Sequence, residues 1–313
     1  MGAYILRRLA STVLVMGIVA VFVFLLLHLS PGDPAAIIAG DNATTEQIDA
    51  IRRQLGLDDA LPVQFFRWLL AVLHGDLGIS IFSNEPVLKL IGQRVEPTLA
   101  LALTTLIVAV TLAVSFGVIA AWKAGSWIDR LLMVVSVIGF SVPVFVVGYL
   151  LIYLFSITLR WLPVQGYSPI EQGFWPWIER LILPSIALGL AYVALIARIT
   201  RTAMLDVLAE DYIRTARAKG VATSSMLLKH ALKNAGVPIV TVIGIGVALL
   251  IGGVVITETV FNIPGVGRLV VDAISKRDYP IIQGVILIFS GVYVLVNLAV
   301  DLSYTLLDPR IRY

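Results

Sequence analysis

The chain has 313 residues and a formal net charge of +3, with 59% hydrophobic and only 14% charged residues. Soluble domains are typically about 45–50% apolar and about 25% charged, so this composition excludes a soluble enzyme. The absence of cysteine excludes disulfides, zinc–thiolate sites, iron–sulfur clusters and cysteine nucleophiles. We therefore predict an integral membrane protein.

Six stretches are apolar over a length that can cross a bilayer, because a hydrocarbon core of about 30 Å needs about 20 helical residues. They are residues 9–29, 98–121, 131–159, 181–197, 235–257 and 279–300. Since no stretch alternates as membrane β-strands do, all six spans are predicted to be helical. Pro143 predicts a kink in the third span. The first span is too long for a cleaved signal peptide and lacks its small-residue cleavage site, so we expect it to be retained.

The first long connection, residues about 30–96, has helical signals of its own. Thr44 and Gln47 fit a capping box that starts a helix, and Gly56 fits its stop. A second apolar helical patch runs from Phe65 to Leu73. A folded loop with an apolar face has to pack on something. It either caps its own bundle, or receives a partner and shapes the mouth of a pathway.

The second long connection, residues about 198–236, carries seven Lys and Arg residues against three acids. Glu210 and Arg214 are spaced as a favourable helix pair, and this helix should stop at Gly220. Thr223, Ser224 or Ser225 is predicted to cap a second short helix, Met226–Asn234. Such a basic helix pair either binds anionic lipid headgroups or docks a cytoplasmic partner.

The fifth span and the segment after it are rich in glycine. Gly244, Gly246, Gly252 and Gly253 indicate close helix packing or room for a pathway. The segment from Glu258 to Gly267 mixes aromatic, proline and glycine residues. We interpret it as a turn, either an ordinary one or one that dips into the vestibule opposite the basic loop.

Basic residues predict the orientation of the chain. Thirteen Lys and Arg residues flank the spans on the side of the termini, against five in the short connections of the other side. The positive-inside rule therefore predicts that both termini are cytoplasmic.

Several chemistries have no support in the sequence. No span holds an ionisable residue near its middle, which weakens an ion-coupled mechanism without excluding it. The three histidines are scattered and form no HExxH motif, so we expect no metal site and assign no catalytic residue. No Gly-Lys dipeptide occurs, so this chain has no Walker A loop and any ATPase is a separate polypeptide. The net charge is too small to indicate nucleic-acid binding.

Motifs along nearly the whole chain resemble one family. The basic loop reads Tyr212-Ile213-Arg214-Thr215-Ala216-Arg217-Ala218-Lys219-Gly220 and then Lys229-His230-Ala231-Leu232-Lys233-Asn234. Other matching motifs are Pro31-Gly32-Asp33-Pro34, Leu55-Gly56-Leu57-Asp58, Gly75-Asp76-Leu77-Gly78, Pro97-Thr98-Leu99, the segment from Glu258 to Gly267, Arg277-Asp278-Tyr279 and the ending from Asp308 to Tyr313. Together they resemble binding-protein-dependent ABC importer permeases of the dipeptide/oligopeptide/nickel family, the subunit with the long first outer loop. Where the general permease pattern has a glutamate and two alanines, this chain has Arg214-Thr215-Ala216, as the peptide branch does.

The resemblance implies a type I importer permease with six transmembrane helices in one domain, residues 1–313, in the bacterial cytoplasmic membrane. The implied partners are a second homologous permease subunit, two ABC ATPase subunits or domains, and an extracytoplasmic solute-binding protein. ATP and Mg²⁺ are expected on the ATPases and no cofactor on this chain. Short peptides are the favoured substrates; nickel, glutathione and opines stay open, as does a stand-alone secondary transporter.

The resemblance also implies roles for named residues. The coupling contact to an ATPase is expected at Arg214, Thr215, Ala216, Arg217, Ala218, Lys219, Gly220, His230, Leu232 and Asn234. An outer gate or binding-protein contact is expected at Glu258, Phe261, Pro264, Gly265, Gly267, Asp76 and Gly78.

Overall fold

The computed structural model describes residues 2–29, 35–36, 44–54 and 56–307, which are almost entirely helical. In these ranges the only β-type pairing is an isolated bridge between Ile79 and Pro86. The predicted motif at 31–34, Leu55 and the ending at 308–313 lie outside the described residues.

The described helices are numbered here in chain order. They are α1 (Gly2–Leu29), α2 (Thr45–Gln54), α3 (Leu61–Leu73), α4 (Val87–Trp122), α5 (Trp127–Ser141), α6 (Val144–Leu151), α7 (Phe174–Leu208), α8 (Asp211–Ala218), α9 (Thr223–Ser225), α10 (Leu232–Asn234), α11 (Gly236–Val260), α12 (Val266–Lys276) and α13 (Tyr279–Leu307). A π-helix continues α6 over Ile152–Thr158, and another joins α9 to α10 over Met226–Ala231. A short 3₁₀ turn covers Ile170–Gln172.

Each of the six predicted spans falls largely on helix. Three helices are long and apolar enough to cross a membrane alone: Val87–Trp122, Phe174–Leu208 and Tyr279–Val300. Two bent pairs pass the same criterion together, one at the third predicted span and one at the fifth. In α1 the described apolar stretch is the shorter Ala10–Leu26.

The expected kink at Pro143 is a complete break. Helix α5 ends at Ser141 and α6 begins at Val144, with Pro143 at its N-cap. The two parts are bent by 103°, so the third span is not one helix with a mild kink. The fifth span is similarly preceded by a 67° bend between Thr223–Asn234 and Gly236–Val247.

The chain forms two compact units. One comprises residues 1–94 and 269–294, and the other comprises residues 95–268 and 295–313. In the first, α3 packs against α1: Phe24 contacts Phe65 and Trp68, with ring centroids 5.4 and 5.7 Å apart. Ala20, Val23 and Leu287 form the buried apolar core beside them.

In the second unit, α7 lies at the centre of the packing. Its buried face includes Leu181, Leu188, Val193, Ile196 and Met204. The faces of α4, α6 and α11 complete the apolar clusters around it. At Gly117 of α4 the helices approach so closely that a Cβ atom would lie 2.5 Å from Thr200 Cβ and 2.8 Å from the Ala197 carbonyl oxygen. Glycine is therefore required at this crossing.

Candidate coupling surface and the Glu258 cap

The first helix of the basic loop ends where the sequence predicts. Helix α8 stops at Ala218, Lys219 is its C-cap, and Gly220 has φ +77°. The Val221 amide donates to the Ala216 carbonyl and the Gly220 amide to the Arg217 carbonyl, at 3.2 and 3.0 Å. This is the Schellman pattern, which satisfies carbonyls at a helix end and favours glycine at the left-handed position.

The second helix of the loop differs from the prediction. It begins at Thr223, and Ala222 is at the N-cap without a side-chain cap bond, so none of the three predicted hydroxyls caps it. The predicted Met226–Asn234 helix is a π-helix followed by one short α-helical turn. The predicted pair of Glu210 with Arg214 is also wrong. Glu210 is the extended N-cap residue of α8, and Arg214 Nη1 lies 3.5 Å from Asp211 Oδ1 instead.

An apolar base holds these short helices on the ends of the long ones. Ile213 is fully buried, and Met226, Leu227 and Ala231 are buried with it. They share one cluster with Val118 and Ala121 of α4, Ala203 and Met204 of α7, and Ile239 of α11. Two short helices that bury such side chains cannot separate from the bundle without exposing them.

The opposite face is polar and accessible. Most of the predicted coupling residues are exposed, namely Arg214, Thr215, Arg217, Ala218, Lys219, Gly220, His230 and Asn234, whereas Ala216 and Leu232 are half-buried. The Asn234 side-chain amide donates to Tyr212 Oη at 2.8 Å and to the His230 carbonyl at 2.7 Å. The bond to Tyr212 joins α8 to α10 across 22 residues, so the two halves of the loop form one unit with a basic surface.

An ion pair that the sequence analysis missed joins the start of this connection to α5. Asp129 lies in the first turn of α5. Arg201 donates two hydrogen bonds to its carboxylate, from Nε to Oδ1 at 2.6 Å and from Nη2 to Oδ2 at 2.7 Å. The Gly125 amide donates to the same carboxylate at 2.9 Å. The Asp129 side chain is 6% exposed and the Arg201 side chain 27%. The bidentate pair fixes the start of α5 against α7, eight residues before α7 reaches its C-cap Ala209.

Glu258 does not lie in a loop, as the sequence analysis assumed. It belongs to the last turn of α11, which runs to Val260, and it is completely buried. Thr98 Oγ1 donates to Glu258 Oε1 at 2.6 Å, and the Arg268 amide donates to Oε2 at 2.9 Å. Thr98 Oγ1 also accepts the Val266 amide at 2.8 Å. The carboxyl group and the hydroxyl therefore satisfy two amides of the first turn of α12, a helix that the sequence analysis did not predict.

The glycines of this turn leave room for the carboxyl group. A Cβ atom at Gly265 would overlap the Glu258 carboxyl group, and one at Gly267 would lie 2.7 Å from Val255 Cα. Phe261 is also buried, whereas Pro264 is exposed. The predicted outer gate or contact with a binding protein stays a prediction. Among the predicted residues between Glu258 and Gly267, Pro264 is the exposed one.

The two predicted residues of the first long connection form a separate turn in the other unit. The Gly78 amide donates to Asp76 Oδ1 at 2.8 Å, and Gly78 has φ +85°. Close by, Ser80 Oγ donates to Asp278 Oδ2 at 2.6 Å. The segment after the Asp76 motif therefore contacts the motif around Asp278, through two residues that are 198 positions apart in the sequence.

A fourth polar cluster lies around Tyr167. Its hydroxyl donates to Glu96 Oε1 at 2.7 Å and accepts Trp177 Nε1 at 3.2 Å. Burial, followed by the bond to Glu96, raises the pKa of Tyr167 well above its ordinary value, so the hydroxyl stays protonated. Among the described residues, no group of three or more His, Asp or Glu side chains could hold a metal ion.

These features define the class: a multi-span helical membrane protein with an accessible basic helix pair built onto the ends of its long helices. Residues 113–313 match the family described as binding-protein-dependent transport system inner membrane component, and residues 1–102 match its N-terminal domain family. The chain belongs to this family and is the permease component of a binding-protein-dependent ABC importer. A stand-alone secondary transporter is therefore excluded.

Named relatives match along their full length. The probable peptide ABC transporter permease protein y4tP of Sinorhizobium fredii is 62% identical over all of both chains. The glutathione transport system permease protein GsiC of Salmonella paratyphi A is 47% identical over 99% of both. Among solved structures, a chain of the MetNI methionine ABC transporter, in inward-facing conformations, matches 70% of this chain and 96% of its own. Its TM-score is 0.57 at 17% identity, so it supports the fold alone.

Proposed function

We propose that this chain is one of two permease subunits in a bacterial importer for di- and oligopeptides. Its partners are a second homologous permease, two ABC ATPase subunits that bind ATP and Mg²⁺, and an extracytoplasmic solute-binding protein. The 62% identity with a probable peptide permease supports the substrate class. Both termini are placed in the cytoplasm, which is supported by the thirteen basic residues on their side.

The coupling role rests on one observation: the α8–α10 unit has a buried apolar base and an exposed basic face. Arg214, Arg217 and Lys219 face outward, while Ile213 and Met226 anchor the unit to α4, α7 and α11. A unit held in this way moves with the long helices rather than independently. ATP-driven closure of the ATPases moves it as a rigid body, the spans rock to open the pathway outward, and hydrolysis resets them.

A pair of substitutions at Gly220 tests this role. Leucine is strained at φ +77° and should change the angle between the two short helices, whereas asparagine tolerates this conformation. We expect Gly220→Leu to abolish most uptake while ATP hydrolysis by the reconstituted importer persists, and Gly220→Asn to keep both. Normal uptake by Gly220→Leu in a correctly assembled complex would contradict the coupling role.

Glutathione is the second candidate substrate, because the GsiC relatives share 46–47% identity with this chain. Mass spectrometry of the complex purified through a tag on this chain identifies the cognate binding protein. Uptake of a labelled tripeptide, challenged with unlabelled dipeptides or glutathione, then separates the two substrates. Competition by glutathione alone would overturn the peptide assignment.

A further inference from the structure

We propose that α3 lies within the bilayer beside α1 and that the groove between them holds a lipid acyl chain. In the predicted orientation the contact between α3 and α1 lies in the outer leaflet. The inference goes beyond the proposed function and does not depend on the substrate.

The depth of α3 follows from its contacts with α1. Arg7 and Arg8 mark one interface, and the apolar residues 10–29 cover about 30 Å at 1.5 Å per residue. The α1 residues that pack with α3, Ala20, Val23 and Phe24, lie five to nine residues before the end at Leu29. They are therefore about 8–14 Å below the far interface, at or beyond the depth of about 5–10 Å to which a helix lying on the membrane surface is buried.

The chemistry of α3 fits this depth. Its two polar side chains are bonded to the preceding turn. Gln64 Nε2 donates to the Leu57 and Asp59 carbonyls at 3.0 and 2.8 Å, and Arg67 Nη2 lies 2.7 Å from Asp59 Oδ2. The rest of its outward surface is apolar, with Leu61, Val63, Phe66, Leu70 and Leu73 all about half exposed or more. Helical backbone bonds are satisfied internally, so such a segment is compatible with hydrocarbon.

The groove is apolar along its whole length. Its floor runs along α1 from Val13 to Leu25, and Phe65 and Leu69 of α3 form its wall. Twelve helical steps make it about 18 Å long, from about 6 Å below the far interface at Leu25 to about 9 Å beyond the bilayer midplane at Val13. Val13, Ile18 and Phe22 of this floor are exposed, so the groove is open on the side of α1 that would face the bilayer. One acyl chain lying along α1 matches this shape.

Single thiols test the proposal cleanly, because the chain has no cysteine of its own. Spin labels are attached to Phe66→Cys and Leu70→Cys on α3 and to Gly17→Cys in the groove, where a Cβ atom meets no neighbour within 4 Å. Asp58→Cys, in the exposed turn before α3, is the control. The assembled importer, with thiols of the other subunits removed, is reconstituted in phosphatidylethanolamine–phosphatidylglycerol vesicles. Relaxation by oxygen, which partitions into hydrocarbon, is compared with relaxation by a water-soluble nickel chelate.

We expect the three test labels to be relaxed by oxygen and to lose the nickel-chelate effect that Asp58→Cys shows. Relaxation of Phe66→Cys and Leu70→Cys by the chelate would place α3 in water, as for a surface that docks the binding protein, and would overturn the proposal. Protection of the groove label from both reagents would show that protein fills the groove, such as the second permease, and would overturn it equally.

Discussion

Replacement of Thr98 by valine should destabilise the second unit by removing a hydroxyl that serves two partners. Valine keeps the β-branched shape but leaves Glu258 Oε1 without this donor and the Val266 amide without this acceptor. An unsatisfied buried amide costs about 1–3 kcal/mol and the loss of one hydrogen bond to the carboxyl group about 0.5–1.5 kcal/mol, which gives about 1.5–4.5 kcal/mol for the two. Because Thr98 is only half-buried, water can reach part of the site, and we expect a value near 2 kcal/mol.

Thermal unfolding of the purified complex in mild detergent measures this effect. The matched control is Thr259→Val, since that hydroxyl is exposed and donates only to a carbonyl of its own helix. The midpoint should fall clearly for Thr98→Val and little for the control. Adding Glu258→Gln to Thr98→Val should lower it by less than the sum of the single changes, because the residues share one network. Equal shifts for Thr98→Val and the control would refute the cap.

Three further predictions concern the other polar contacts and the turn. Asp129→Asn and Arg201→Gln should each destabilise the complex by up to about 3 kcal/mol, and the double variant should lose less than the sum; additive losses would contradict the ion pair. Gly265→Ala should lower the free energy of unfolding by about 1–3 kcal/mol through overpacking on the Glu258 carboxyl group, and with it the thermal midpoint. Gly252→Ala, with no neighbour within 4 Å, should lower neither. Because the folded-state pKa of Tyr167 is raised, its contribution is present below the unfolded pKa of about 10 and lost as pH rises above it. The thermal midpoint should thus fall more steeply above pH 10 for the unmodified protein than for Tyr167→Phe, and parallel profiles would count against a buried, neutral hydroxyl.

Local signals in the sequence predicted much of the structure. The capping box forms with both bonds, Thr44 amide to Gln47 Oε1 at 2.9 Å and Gln47 amide to Thr44 Oγ1 at 3.3 Å. Gly56 and Gly220 have positive φ where the helices were expected to stop. The apolar patch from Phe65 to Leu73 lies in α3. All of these features depend on residues within a few positions of one another.

What the sequence analysis missed depends on distant partners. Asp129 resembles any charge that flanks a span, and nothing near it indicates that Arg201, 72 residues later, will pair with it. Glu258 was assigned to a loop because hydropathy falls there, although Thr98 and the start of α12 bury it. Pro143 indicates a break but not its angle, since the 103° bend depends on where α5 packs on α7 and where α6 packs on α7 and α11.

The crossing of α4 and α7 at Gly117 has a consequence for conformational entropy. Glycine contributes no rotatable side chain, and the β-branched Thr200 has restricted χ1 freedom in a helix. A contact of this kind loses almost no rotamer entropy when it forms, and it has almost none to regain by loosening. The distance between the two helices at this point should therefore respond weakly to temperature, and adjustments of α4 against α7 must be taken up at crossings lined by longer, rotamer-rich side chains.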